Sequence, residues 1–249
     1  MWIQLLYILG FVLLLPFLPL LWFQGRWVRA SIPPLPDPTG PQDGLVKVEG
    51  TELKVLVMGN SSVAGIGVET MEQSLAAHFA RNLSIRLGRS VRWKIFAESG
   101  LTAEGLRKKL ISKPFHENYD LVIICVGGND AFSVHSPRRW KRDCLALVQE
   151  VRKHHDGSIL FSDIPPVKDF PAFTKLMQLV LGTLVRLYRH SLQQIVSQEK
   201  DVHRVTIPLA IHVRPGKTIH ANFSDGVHPS EITYSDWADD LAITSERIL

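Results

Sequence analysis

Leu121-Val122-Ile123-Ile124-Cys125-Val126-Gly127-Gly128-Asn129-Asp130 decides the fold. Six apolar residues in succession read as a strand buried on both faces, which is the environment of a central strand in a parallel sheet. Gly-Gly breaks the run, and Asn-Asp follows as turn chemistry. Outward from this stretch the pattern alternates. On the N-terminal side, residues 53–58 and 91–97 predict strands. Residues 69–87 place Met71, Leu75, Phe79, Leu83 and Leu87 at helical spacing, stopped by Gly88, and residues 102–111 predict another helix. On the C-terminal side, residues 137–153 predict a helix, 158–161 a strand, and 173–196 a long amphipathic helix. A strand at 202–206 and a helix at 230–248 complete the pattern. Strands alternating with helices predict an α/β protein with a mostly parallel sheet, whose sites lie at the carboxyl ends of the strands.

The remaining composition narrows the function. Of 249 residues, 45% are hydrophobic and 21% charged, which excludes a disordered chain. The formal net charge of +4 is small and spread along the sequence, so no nucleic-acid partner is expected. Two cysteines, Cys125 and Cys144, exclude a disulfide framework and a four-cysteine zinc site. Most of the 10 histidines are expected on solvated faces, His154-His155 at a charged helix end among them.

The N-terminus is the most apolar part. Residues 2–23 contain no charge, and as a helix they would span roughly 33 Å, close to a bilayer's hydrocarbon core of about 30 Å. Trp2, Tyr7, Trp22 and Trp27 stand near its ends, as interface-seeking residues do, and Pro16 and Pro19 predict a kink. No Lys or Arg precedes the run, and Gln24-Gly25-Arg26-Trp27 is a poor cleavage site, so an uncleaved anchor fits better than a signal peptide. Prolines at 33, 34, 36, 38 and 41 then predict an extended tether. The expected organisation is a membrane-anchor helix at 1–25, a Pro/Gly-rich tether at 26–45 and a folded domain at 46–249. Arg26 and Arg29 after the apolar run, with only the terminal amine before it, predict a single-pass protein whose domain faces the cytoplasm; export or secretion is the alternative.

Four short segments fall at predicted strand ends. Gly59-Asn60-Ser61 follows the first strand and exposes a serine; it is neither a phosphate-cradling loop nor a G-x-S-x-G elbow. Glu98-Ser99-Gly100-Leu101-Thr102 follows the second. Gly127-Gly128-Asn129-Asp130 follows the most buried one. Asp225-Gly226-Val227-His228 precedes the last helix, and its spacing lets a carboxylate orient an imidazole, the base that an otherwise inert serine hydroxyl requires. Each segment alone is ordinary turn chemistry.

In this order the four segments resemble the blocks of the SGNH hydrolases, also called the GDSL esterase/lipase family, over residues 54–249. The resemblance implies a three-layer α/β/α sandwich with a flavodoxin-like sheet. It implies Ser61 as nucleophile, His228 as general base and acid, and Asp225 as the group orienting the imidazole. It also implies an oxyanion hole from the N–H groups of Ser61 and Gly100 and the side-chain amide of Asn129, with no metal or other cofactor. The expected substrate is a small-molecule or lipid ester. Asn60 departs from the family's aspartate at this position. Acyl transfer through the same triad, and a silent binding domain, are the alternatives. Residues 164–173, with Phe170 and Phe173, and the helix residues Met177, Leu179 and Leu181 form either an apolar rim over the site or ordinary core.

Overall fold

The computed structural model describes residues 2–205 and 218–249, with side chains from residue 5 onward. Six strands form one sheet: β1 (Asp43–Val46), β2 (Glu52–Gly59), β3 (Ser90–Ala97), β4 (Leu121–Cys125), β5 (Ser158–Phe161) and β6 (Val202–Arg204). Their order is β1-β3-β2-β4-β5-β6. All neighbours are parallel except β1, which runs antiparallel along β3. Without β1 this is the doubly wound flavodoxin-like order, whose crevice opens beside β2. Thr206, predicted to end the last strand, lies outside the described residues.

The sheet is covered on both faces. Val55, Val57, Ile123 and Leu160 pack against α3 (Leu75–Leu87) and α8 (Glu231–Glu246). The alternate residues Leu56, Met58, Val122, Ile124 and Phe161 pack against α4 (Ala103–Ser112), α6 (Pro137–Val151) and α7 (Lys175–Val196). β4 is buried at all five positions, as its unbroken apolar run requires. The helices begin where polar caps occur: the side chains of Ser74, Thr102, Ser136 and Thr174 each accept a first-turn N–H.

Three segments differ from their sequence reading. Residues 26–31, read as tether, continue the helix α2 (Leu18–Ser31), because the first proline after the apolar run is Pro33 and only Ile32 before it is forced extended. Residues 43–45, read as the end of the tether, pair with β3 as an edge strand; Gly44 lacks a side chain and lets the Trp93 indole lie over it. His155 is buried rather than solvated, with Nε2 3.0 Å from the Ser158 carbonyl oxygen, and burial pushes its pKa down. Pro16 does interrupt the apolar helix: α1 (Trp2–Leu14) gives way to a 3₁₀ turn, Leu15–Phe17, before α2.

Candidate active site

The crevice at the carboxyl ends of β2 and β4 gathers three of the four segments. Where β2 ends, the Asn60 side-chain oxygen accepts the Ser62 N–H at 3.3 Å. The Asn60 carbonyl accepts from Val63 and Ala64 at 3.0 and 2.9 Å. This closes a tight turn with Ser61 at its outer edge, lining a cleft that also holds Asn129 and His228. Val63 anchors the turn in the core. Gly67, at φ +110°, passes so close to the Pro229 carbonyl that any side chain there would collide with it. Ser224 donates to the Gly67 carbonyl at 2.6 Å and Tyr234 to that of Ile66 at 2.7 Å. The serine turn and the histidine turn are therefore held together as one unit.

The Asp225-to-His228 turn is closed by its own carboxylate. Asp225 Oδ1 accepts the backbone N–H groups of Val227 and His228 at 2.9 and 2.7 Å, and Oδ2 lies 2.6 Å from His228 Nδ1. The Asp225 side chain is 1% exposed. Burial pushes its carboxyl pKa up, but these hydrogen bonds outweigh burial and hold it below the usual carboxylate value. With Nδ1 engaged, Nε2 is the ring nitrogen left to exchange a proton. No hydrogen bond joins the Ser61 hydroxyl to His228; catalytic contacts of this kind commonly tighten only with substrate in place.

Gly127, at φ +118°, turns the chain from β4 into the short helix α5 (Gly128–Phe132). Asn129 Nδ2 donates to the Leu101 carbonyl at 3.0 Å, which ties this turn to the segment containing Gly100. A primary amide carries two N–H donors, so one remains for a ligand. Gly100 is exposed and does not line the cleft. The backbone N–H groups of Gly100 and Ser61 have no acceptor among the described residues.

Some contributors were not singled out from the sequence. Asp130, read only as turn chemistry, is fully buried; its carboxylate accepts the Ala103 N–H at 3.2 Å and lies 3.4 Å from His135 Nδ1. Its pKa is raised because burial outweighs those contacts. Phe132 and Phe223 join Phe170, Pro165 and Pro166 in lining the cleft. Arg189 grips Asp163 through two 2.8 Å bonds and the Ile164 carbonyl at 2.9 Å, fixing the turn that carries both prolines. No spacing rule links Arg189 to Asp163, so only the fold reveals the clamp. Of the expected rim, Phe170 lines the cleft and Phe173 stands one ring away at 5.5 Å; Met177 and Leu181 are core, and Leu179 is exposed. Among the described residues no cluster of three His, Cys, Asp or Glu side chains is placed to hold a metal. The Cys125 thiol is buried, which pushes its pKa up to about 12 and leaves it unreactive.

A family model for the GDSL-like lipase/acylhydrolase family matches residues 57–235, from β2 through the turn bearing His228. The chain belongs to that family. Solved structures of similar fold include one titled TesA, at 22% identity and TM-score 0.62, covering 79% of this chain and 99% of that one. The lipase Lip_vut3 from a goat rumen metagenome superposes at TM-score 0.62 with 17% identity, covering 79% and 98%. A family 3 carbohydrate esterase from Clostridium thermocellum does so at 0.57 with 19% identity, covering 79% and 98%. No curated protein matches the chain. As a GDSL-family protein it is an ester hydrolase in general terms; at these identities the structural likeness establishes the fold and no substrate.

Proposed function

We propose that this GDSL-family chain is a membrane-attached serine esterase that cleaves carboxylic esters through an acyl-enzyme on Ser61. The observation that carries the reading is the 2.6 Å Asp225–His228 pair opening into the same cleft as Ser61. The Ser61 hydroxyl attacks the ester carbonyl as His228 Nε2 takes its proton, and Asp225 stabilises the imidazolium so formed. The negative charge on the carbonyl oxygen is received by the Ser61 N–H and the second N–H of Asn129, and by the Gly100 N–H once its segment, tied to Asn129 through Leu101, closes on the bound ester. Collapse expels the alcohol, which takes the proton from His228. Water then attacks the acyl group with the same base, releasing the acid and restoring Ser61.

Ser61, Asn129, Asp225 and His228 together favour hydrolysis over a silent domain, and Asn60 is compatible with it. Its side-chain oxygen makes the turn contact that an aspartate oxygen would make, so the departure alters charge and not the shape of the turn. The apolar N-terminal helix is long enough to cross a membrane, with mean hydropathy 2.4 over its most apolar window. In this reading it attaches the catalytic domain, residues 46–249 with the edge strand β1, to the cytoplasmic side where Arg26 and Arg29 are retained.

Labelling with a fluorophosphonate probe tests the chemistry. The probe is expected on Ser61, and Ser61→Ala is expected to lose both labelling and ester turnover while remaining folded. Labelling at Ser62 instead, or persistent turnover in the variant, rejects the mechanism. A reporter fused after Leu249 that is active only outside the cytoplasm tests the topology; activity there rejects it.

A further inference from the structure

The apolar helix does not stand away from the domain on its tether. Along α1 and α2 the less exposed positions are Tyr7, Gly10, Leu14, Leu21, Gln24, Gly25 and Val28; apart from the adjacent pair Gln24-Gly25 they recur at intervals of three, four and seven. That is the seam of a helix packed lengthwise on a neighbour. α1 lies against α6 and α7, and α2 continues along α7. The Tyr7 hydroxyl donates to the Val134 carbonyl at 3.2 Å, Thr174 donates to Gln24 Oε1 at 2.8 Å, and Val28 is buried in the domain core. The other faces are bare: Leu9, Leu13, Trp22, Phe23 and Trp27 are each more than half exposed. Water is a poor solvent for such a surface, and among the described residues nothing else covers it.

The two docking contacts bracket the mouth of the site. Val134 lies two residues beyond Phe132, and Thr174 directly follows Phe173. Phe132 packs on Phe173 at 5.5 Å and on Phe170 at 6.4 Å, and Phe170 on Phe223 at 5.2 Å. This aromatic row runs from the helix into the cleft shared by Ser61 and His228. α6 and α7, on which the helix packs, carry exposed Arg138, Arg139, Lys175 and Arg186, which cannot enter hydrocarbon. While docked, the helix therefore lies along a membrane and not across it: its length permits a single-pass crossing that the docked form does not make, and the domain stays on the side where it was made. Arg26, stacked 4.9 Å over Trp22, stands where a headgroup layer would begin.

Resting on the esterase reading above, we infer that the docked helix sinks its bare face into one leaflet and brings the aromatic mouth to the lipid surface. The substrates are then long-chain acyl esters resident in that membrane, taken up chain-first along Phe132 and Phe170. The helix is a functional wall of the entrance as well as an attachment.

The test uses the full chain on phosphatidylethanolamine and phosphatidylglycerol vesicles, with p-nitrophenyl palmitate in the vesicles and p-nitrophenyl acetate in solution. Tyr7→Ala combined with Val28→Asp should release the seam while keeping the apolar run. Vesicle flotation and acetate turnover should stay unchanged, whereas palmitate turnover should fall about tenfold or more as proximity is lost. Gln24→Cys with Thr174→Cys, bridged by a short bis-maleimide, should hold the helix docked and retain palmitate turnover; both native cysteines are buried. Retained palmitate turnover in the released variant overturns the inference. So does its loss in the bridged form, or failure of the pair to bridge on vesicles. Failure of the esterase reading looks different: neither ester would be cleaved and Ser61 would not be labelled in the unaltered protein.

Discussion

Two aspartates stand beside histidines in this site, and they titrate in opposite directions. Asp225 and Asp130 both have side chains closed to water, at 1% and 0% exposure, but Asp130 lies deeper in the protein. Burial pushes both carboxyls up. Asp225 nevertheless ends low, because three donors reach it at 2.6–2.9 Å. Asp130 ends high, because its deeper burial outweighs its donors, the Ala103 N–H at 3.2 Å, its own backbone N–H and a longer contact to His135 at 3.4 Å. Burial alone thus does not set a carboxylate's charge; the balance between its depth and the closeness of its donors does. A carboxylate held ionised is suited to stabilise an imidazolium. One pushed toward neutrality is suited to clip two segments together, here α5 to the start of α4.

The contrast breaks most sharply in kinetics. Asp225→Asn keeps a side-chain oxygen to accept the turn's backbone N–H groups but removes the charge opposite His228, and kcat should fall about ten-thousand-fold with the fold intact. Asp130→Asn should leave kcat nearly unchanged. If both amides cost the same, the division of labour between the pairs is wrong. Asn129→Ala comes next: it removes the amide donor and its tie to Leu101, and should lower kcat by about 100- to 1,000-fold with little change in KM. A loss confined to KM would move Asn129 from oxyanion binding to substrate positioning.

Much of this arrangement was legible before folding. The sheet was readable because its central strand is apolar at every position and its neighbours end in glycine-rich turns. The four site segments were readable because each pairs a backbone-permissive residue with a polar one. What escaped had physical reasons. β1 is short and carries Gly44, and its pairing is supplied by β3 and not by its own propensity. α5 starts from Gly127-Gly128, which suggests a loop, and forms because Gly127 adopts positive φ. The helix seam was invisible because nearly every residue of α1 is apolar, so no periodic contrast exists to be read; only packing separates Leu14 from Leu13. Asp130's burial and the Arg189–Asp163 clamp depend on long-range neighbours that spacing does not encode.

The same two aspartates should also oppose each other in stability. A carboxyl raised in the folded state contributes stability at low pH that is lost as pH rises through its folded value. Asp130 should therefore cost stability above about pH 4, where the unfolded side chain ionises. Asp225, held low, contributes stability above about pH 4 that is lost as pH falls through its folded value. Asp130→Asn should flatten the first dependence and be neutral or stabilising by about 1 kcal/mol at pH 7, because the amide oxygen still accepts from Ala103. Asp225→Asn should instead remove the acid-side loss. Thermal melts of both variants across acidic pH decide it; parallel curves would mean that the carboxyls share one environment.

The smallest effects belong to Asn60, which stands beside Ser61 where the family carries an aspartate. Its side-chain oxygen accepts the Ser62 N–H at 3.3 Å, and that contact needs an acceptor but no charge. Asn60→Asp keeps the acceptor, so turnover should stay within about tenfold and stability within about 0.5 kcal/mol. Asn60→Ala removes this oxygen, from a residue that is 8% exposed, and leaves the half-buried Ser62 N–H unpaired. That variant should be destabilised by about 1 kcal/mol and be slower than Asn60→Asp, because the turn presenting Ser61 loosens. Urea unfolding and ester turnover of the two variants give the order directly. If Asn60→Asp proves the more damaging, the amide's own N–H donors, and not its oxygen, hold the turn, and a charge beside Ser61 is what this protein avoids.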